Sequence, residues 1–115
     1  MTDFDAIHGR LRQIMLDAAQ GLAIVTDEPG NLIVHETAVD ERTGNPRWFG
    51  TVTTKKSYVA YHLIPLYEHP ALAAELSGAL SKRRQGKTCF NFKKADEALF
   101  DELLALSRRA RSAID

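Results

Sequence analysis

The chain has little of what would disclose a reaction. It contains no H-E-x-x-H, no G-x-S-x-G and no C-x-x-C, so the zinc-peptidase, α/β-hydrolase and dithiol sites those patterns build are missing. Its one cysteine, Cys89, excludes an internal disulfide and fits a reducing compartment. No apolar run approaches the ~18 residues of a membrane span, and the N-terminus has neither a basic nor an apolar leader region, so the expected location is the cytoplasm. No internal repeat or low-complexity stretch divides the chain. Its 115 residues, 44% of them hydrophobic, are enough for one domain over 1–115 with its own core.

Net charge is missing as well, since 15 Lys and Arg offset 15 Asp and Glu, and a neutral chain exerts little long-range pull on nucleic acid. The balance conceals segregation. Residues 1–41 carry two Arg against eight acids, residues 42–94 carry ten bases against Glu68 and Glu75, and residues 95–115 carry three Arg against five acids. Lobes of opposite sign steer a charged ligand within a Debye length of ~8 Å. Interleaved solvation accounts for them equally.

What is present is periodicity. Phe4, Ile7, Leu11, Ile14, Met15 and Ala18 recur at helical steps, with Thr2 or Asp3 to cap and Gly21 to end the helix. Residues 22–26 suit a strand, and Pro29-Gly30 has the type II turn signature leading to a second arm over 32–37. Pro70 is placed to open a helix through Leu76, broken at Ser77-Gly78, with a further turn through Arg84 and Gly86 as its stop. In residues 88–92, Phe90 and Phe92 point inward, with Cys89 and Asn91 opposite. A final helix starts at Asp96 and Glu97 and ends among Arg108, Arg109 and Arg111, an order that suits the helix dipole.

The most informative segment is the aromatic hairpin over 47–67. A turn centred on Lys55-Lys56, or a four-residue loop over 54–57, makes opposed residues sum to 111. Trp48, Gly50, Val52, Val59, Tyr61 and Leu63 then share a core face, Gly50 leaving room for the Tyr61 ring. Phe49, Thr51, Thr53, Tyr58, Ala60 and His62 share the other. The expected fold is α+β, an antiparallel sheet of about five strands in the order α-β-β-β-β-α-β-α, with N- and C-terminal helices on one face.

Trp48-Phe49-Gly50, Lys56-Ser57-Tyr58-Val59-Ala60-Tyr61-His62-Leu63-Ile64-Pro65-Leu66-Tyr67 and Gln85-Gly86-Lys87-Thr88-Cys89-Phe90-Asn91-Phe92 together resemble the YdhG-like family of small bacterial domains of unknown function. The resemblance spans residues 4–110. It implies a frataxin-like α+β sandwich, and some relatives are described as frataxin-like iron chaperones. An iron site of that kind would draw on acids of the first helix and first turn, here Asp3, Asp5, Asp17, Asp27 and Glu28, although Arg10 and Arg12 interrupt them.

Phe49, Tyr58, His62 and Cys89 form the candidate ligand surface on the less apolar sheet face. A His and a Cys on neighbouring strands have the elements of a soft-metal or nucleophile pair, with His35 a third member in one packing of the hairpins. Two ligands are not a site, and a half-buried hydrogen-bonded His beside a small buried thiol explains them more simply. Lys82-Arg83-Arg84-Gln85-Gly86-Lys87 and Lys93-Lys94 make a basic patch, but Phe90 and Phe92 point inward, which speaks for a solvated helix end and against nucleic acid. Gly86-Lys87-Thr88 lacks the preceding glycine of a phosphate loop, Ser81 standing in its place. The expectation is a non-catalytic binding domain with no resident cofactor. Its partner is a small ligand, another protein, or a second copy meeting it across the open sheet face. An iron carrier using the N-terminal acids is the alternative.

Overall fold

Apolar side chains at helical spacing fold residues Phe4–Ala18 into helix α1, which buries Ile7, Leu11, Ile14, Met15 and Ala18 along one stripe. The computed structural model describes residues 4–74 and 76–114, with the backbone alone at Ala38. Asp3, one of the expected acids, lies outside the described residues. Strands β1 (Ala23–Glu28) and β2 (Asn31–Val39) form a hairpin around Pro29-Gly30, and Gly30 takes φ +76, which the Pro-Gly turn requires. Strands β3 (Pro46–Thr54), β4 (Val59–Leu63), β5 (Arg84–Gln85) and β6 (Cys89–Phe92) complete an antiparallel six-stranded sheet in the order β1-β2-β3-β4-β6-β5. Helix α4 (Glu97–Ala113) begins at Asp96, whose carboxylate accepts from the Leu99 backbone N–H at 3.3 Å.

The sheet has one strand more than expected. Arg84-Gln85, read as a helix end, instead pairs with Phe90 and Cys89 as a two-residue edge strand, because Gly86 at φ +71 reverses the chain tightly enough to return it onto β6. The helix expected over 70–76 is likewise a single 3-10 turn, Pro70–Ala73, preceded by one helical turn α2 (Pro65–Glu68) and followed by another, α3 (Gly78–Ser81). Pro65 and Pro70 can each open a turn, but Pro70 has no N–H with which to prolong α2. Ser77, expected to interrupt a helix, caps α3 by accepting from the Leu80 N–H at 3.1 Å.

The β3–β4 register differs from the expected one by two residues. Gly50 faces Leu63, Thr51 faces His62 and Val52 faces Tyr61, so the loop occupies 55–58, closed by the Lys55 N–H on the Tyr58 carbonyl at 2.8 Å. A shift of two preserves the faces, and Val52, Val59, Tyr61 and Leu63 are in the core as expected. Trp48 and Phe49 are exchanged. Val34 pairs with Gly50 but His35 pairs with Trp48, so β3 carries an extra residue there, a β-bulge that inverts the alternation towards its N-terminal end. Phe49 is fully buried and Trp48 is 47% exposed. Gly50, in turn, makes room for α1 and not for the Tyr61 ring. A Cβ there would lie 2.7 Å from the His62 carbonyl oxygen and overlap Met15.

Helices α1 and α4 pack together against one face of the sheet. Two buried polar links tie them to it. The Tyr61 hydroxyl meets Ser107 Oγ at 2.6 Å, and His8 Nε2 lies 3.1 Å from the Val52 carbonyl oxygen. No helix among the described residues is long and apolar enough to cross a membrane.

Candidate functional site

The second face of the sheet carries short and polar side chains in rows. One runs Thr26, Ile33, Thr51, His62, Cys89, Gln85 across all six strands, and the next runs Asn31, Thr53, Ala60, Asn91. Of the expected surface, His62 and Cys89 are directly opposed on β4 and β6, and both are half-buried. The Leu63 N–H donates to the Thr88 carbonyl at 2.8 Å, which makes the adjacent 62–89 couple the non-hydrogen-bonded kind, where side chains approach most closely. Tyr58 is half-buried in the loop before β4. Phe49 does not belong to the set: the bulge turns it into the core.

His62 and Cys89 are poised as neutral groups. Burial, and then the Lys55 charge, lower the His62 pKa; burial raises that of the Cys89 thiol, with Lys55 opposing. A nucleophile pair needs the reverse, a thiolate beside an imidazolium. His62 Nδ1 is 3.4 Å from Thr88 Oγ1, and the thiol donates to Asn91 Oδ1 at 3.2 Å. His35 does not join them. It pairs with Trp48, the rings 5.1 Å apart and tilted by 30°.

The remaining acids do not converge. Asp17 accepts from Arg108 Nε at 2.9 Å, and Asp27 accepts a fork from Arg12 at 2.8 and 2.6 Å that lowers its pKa. Asp5 is exposed in the first turn of α1, and Glu28 is exposed at the end of β1. No group of three or more His, Cys, Asp or Glu among the described residues is arranged to hold a metal ion.

The structure adds a site at the other end of the sheet. Where β2 and β3 run towards the loop over 40–45, a cleft of about 380 Å³ opens between them, α2 and the end of α4. Glu36, Arg47, Trp48, Ile64, Glu68 and His69 are among its lining residues. Arg47 forks onto Glu68, Nη1 at 3.0 Å and Nη2 at 2.8 Å. Glu36 is only 8% exposed, and burial is the leading cause of its raised pKa; Glu68 adds to the rise, while Arg47, Arg111 and His69 oppose it.

No protein family, curated protein or solved structure matches this chain. The residues must therefore speak for themselves. Glu36 left a signal in the sequence that alternation alone discloses: Leu32, Val34 and Glu36 occupy the same parity of one strand, and a carboxylate in a core position is the exception there.

Proposed function

We propose that the chain is a cytoplasmic, non-catalytic domain of the YdhG-like, frataxin-like type that binds an acidic protein partner on the sheet face opposite α1 and α4, where Thr51 and Ala60 are buried and His62 and Cys89 half-buried. The observation that carries this reading is the one-sided helix layer: α1 and α4 pack on one face, and the rows through Thr51, His62 and Cys89 lie on the other. The neutral imidazole and thiol favour binding over chemistry. Charge favours an acidic partner. Lys55 acts on both His62 and Cys89, and residues 76–95, which build the β5–β6 side, contain six Lys and Arg and no acid. The lone thiol suits a reducing compartment. The iron-carrier alternative draws no support from acids that are separated and, at Asp17 and Asp27, held by arginines.

Titration of the isotope-labelled chain with poly-L-glutamate, against poly-L-lysine, tests the reading by amide shifts. Polyglutamate is expected to move Thr51, His62, Cys89 and Asn91, with loss of the effect on Lys55→Glu together with Lys93→Glu. Shifts confined to the helices would defeat it. A dimer in sedimentation that buries the same amides without any additive would assign the face to self-association instead.

A further inference from the structure

We propose that the cleft between the ends of β2 and β3, α2 and α4 binds a small organic cation, a primary ammonium on an aromatic or aliphatic body, with the Glu36 carboxylate as counter-ion. Glu36 reaches this cleft from the parity of Leu32 and Val34, while Trp48, beside His35, brings the rim of the other face to it; the cleft is distinct from the partner surface because none of Thr51, His62 and Cys89 lines it.

Three carboxylates line the cleft, and two are satisfied. Asp40 accepts from the Arg42 backbone N–H at 2.9 Å, and Glu68 takes the Arg47 fork. Glu36, more than nine-tenths buried, accepts no hydrogen bond from the described residues; its neighbours act on it only through their charges. A largely buried carboxylate that accepts no hydrogen bond is disfavoured by desolvation, and a ligand in the cleft that brings N–H donors and a positive charge in direct contact relieves it. The charges near it come from Arg47, already forked onto Glu68; Arg111, whose Nε donates to the Gln20 carbonyl at 3.1 Å; and His69.

The walls narrow the ligand class. Trp48, Ile64, Pro65 and Ile114 supply apolar and aromatic surface, and an indole is the best side-chain face for a cation. An ammonium offers three donors to one carboxylate. With Asp40 paired to Arg42 and Glu68 to Arg47, the carboxylate left over in the lining is Glu36, which disfavours an anion. A bare hard metal ion needs six or more oxygens, which the cleft does not gather. The volume suits a ligand of modest size.

The probe is benzylamine, protonated at neutral pH, compared with benzyl alcohol and benzoate on the isotope-labelled full chain. Benzylamine is expected to shift the amides of Glu36, Arg47 and Ile64 and the Trp48 indole N–H saturably. Benzyl alcohol should bind at least tenfold more weakly, and benzoate should leave these signals unmoved. Glu36→Gln should weaken benzylamine at least tenfold while preserving the polyglutamate response of the sheet face, which separates failure here from failure of the partner reading. Benzyl alcohol binding within twofold of benzylamine, or a Glu36→Gln chain that binds benzylamine as the parent does, overturns the proposal. The comparison of ligands on the unaltered chain stands even if the variant does not fold.

Discussion

Glu36 occupies a strand position whose neighbours of the same parity, Leu32 and Val34, are fully buried. A folded-state pKa above the unfolded value means that the folded chain binds the proton more tightly. Relative stability is then present below the ordinary carboxylate range and is lost as pH rises through the elevated folded pKa. Glu36→Gln is therefore expected to raise the melting temperature at neutral pH, and the gain should disappear on acidification towards pH ~4. Equal gains at pH 7 and pH 4 would mean that the carboxyl is not strained by burial against Arg47, Glu68, Arg111 and His69. His62 has the opposite sign: its lowered pKa gives stability that is present above the unfolded value near ~6.5 and lost as pH falls through the folded one. Cys89, with its pKa raised, should react with a disulfide reagent at neutral pH several-fold more slowly than a free thiol, and a rate equal to that of free thiol would contradict a neutral, half-buried group.

At the scale of elements, the link between β4 and α4 is a buried hydroxyl pair. Tyr61 and Ser107 are both fully buried, and desolvation raises the Tyr61 pKa despite the Ser107 hydrogen bond. Ser107→Ala leaves the phenol without a partner and should cost about 1–3 kcal/mol in urea unfolding, whereas adding Tyr61→Phe should cost little more, because no donor is then stranded. Gly50→Ala places a methyl against Met15 and the His62 carbonyl, an overpacking expected to cost about 1–3 kcal/mol or more. Leu63→Ala should cost ~2–5 kcal/mol and Thr51→Ala less than half of that. The helix stripes, the Pro29-Gly30 turn and the inward Phe90 and Phe92 were legible because each depends on local spacing or backbone preference. The bulge at Phe49 was not, since alternation over 48–63 reads equally well without it and only pairing with β2 reveals the extra residue. The same pairing decides that His35 meets Trp48 rather than His62 and Cys89.

Across the whole molecule, charges separated in sequence are brought back together in space. Arg10 reaches Glu97 and Arg108 reaches Asp17, so two ion pairs clasp α1 to α4, while Arg12 ties α1 to β1 through Asp27. All of these side chains are at least a third exposed, and such pairs are worth about 0–1 kcal/mol each. Raising sodium chloride to 0.5 M is accordingly expected to shift the unfolding free energy by no more than about 2 kcal/mol. A larger loss would show that the clasps, and not the apolar layer beneath them, hold the helices in place. These pairings were hidden in the sequence, where an acidic first helix suggests an anionic ridge, because their partners lie up to 91 residues away.

The outward turn of the chain's only tryptophan also gives the molecule an optical gauge. Trp48 lines the cleft, and its ring lies beside that of His35. Its emission needs no attached dye. Water withdrawn from the indole moves the colour to the blue, and unfolding moves it to the red. One cuvette thus reports docking and denaturation as two separable changes of light.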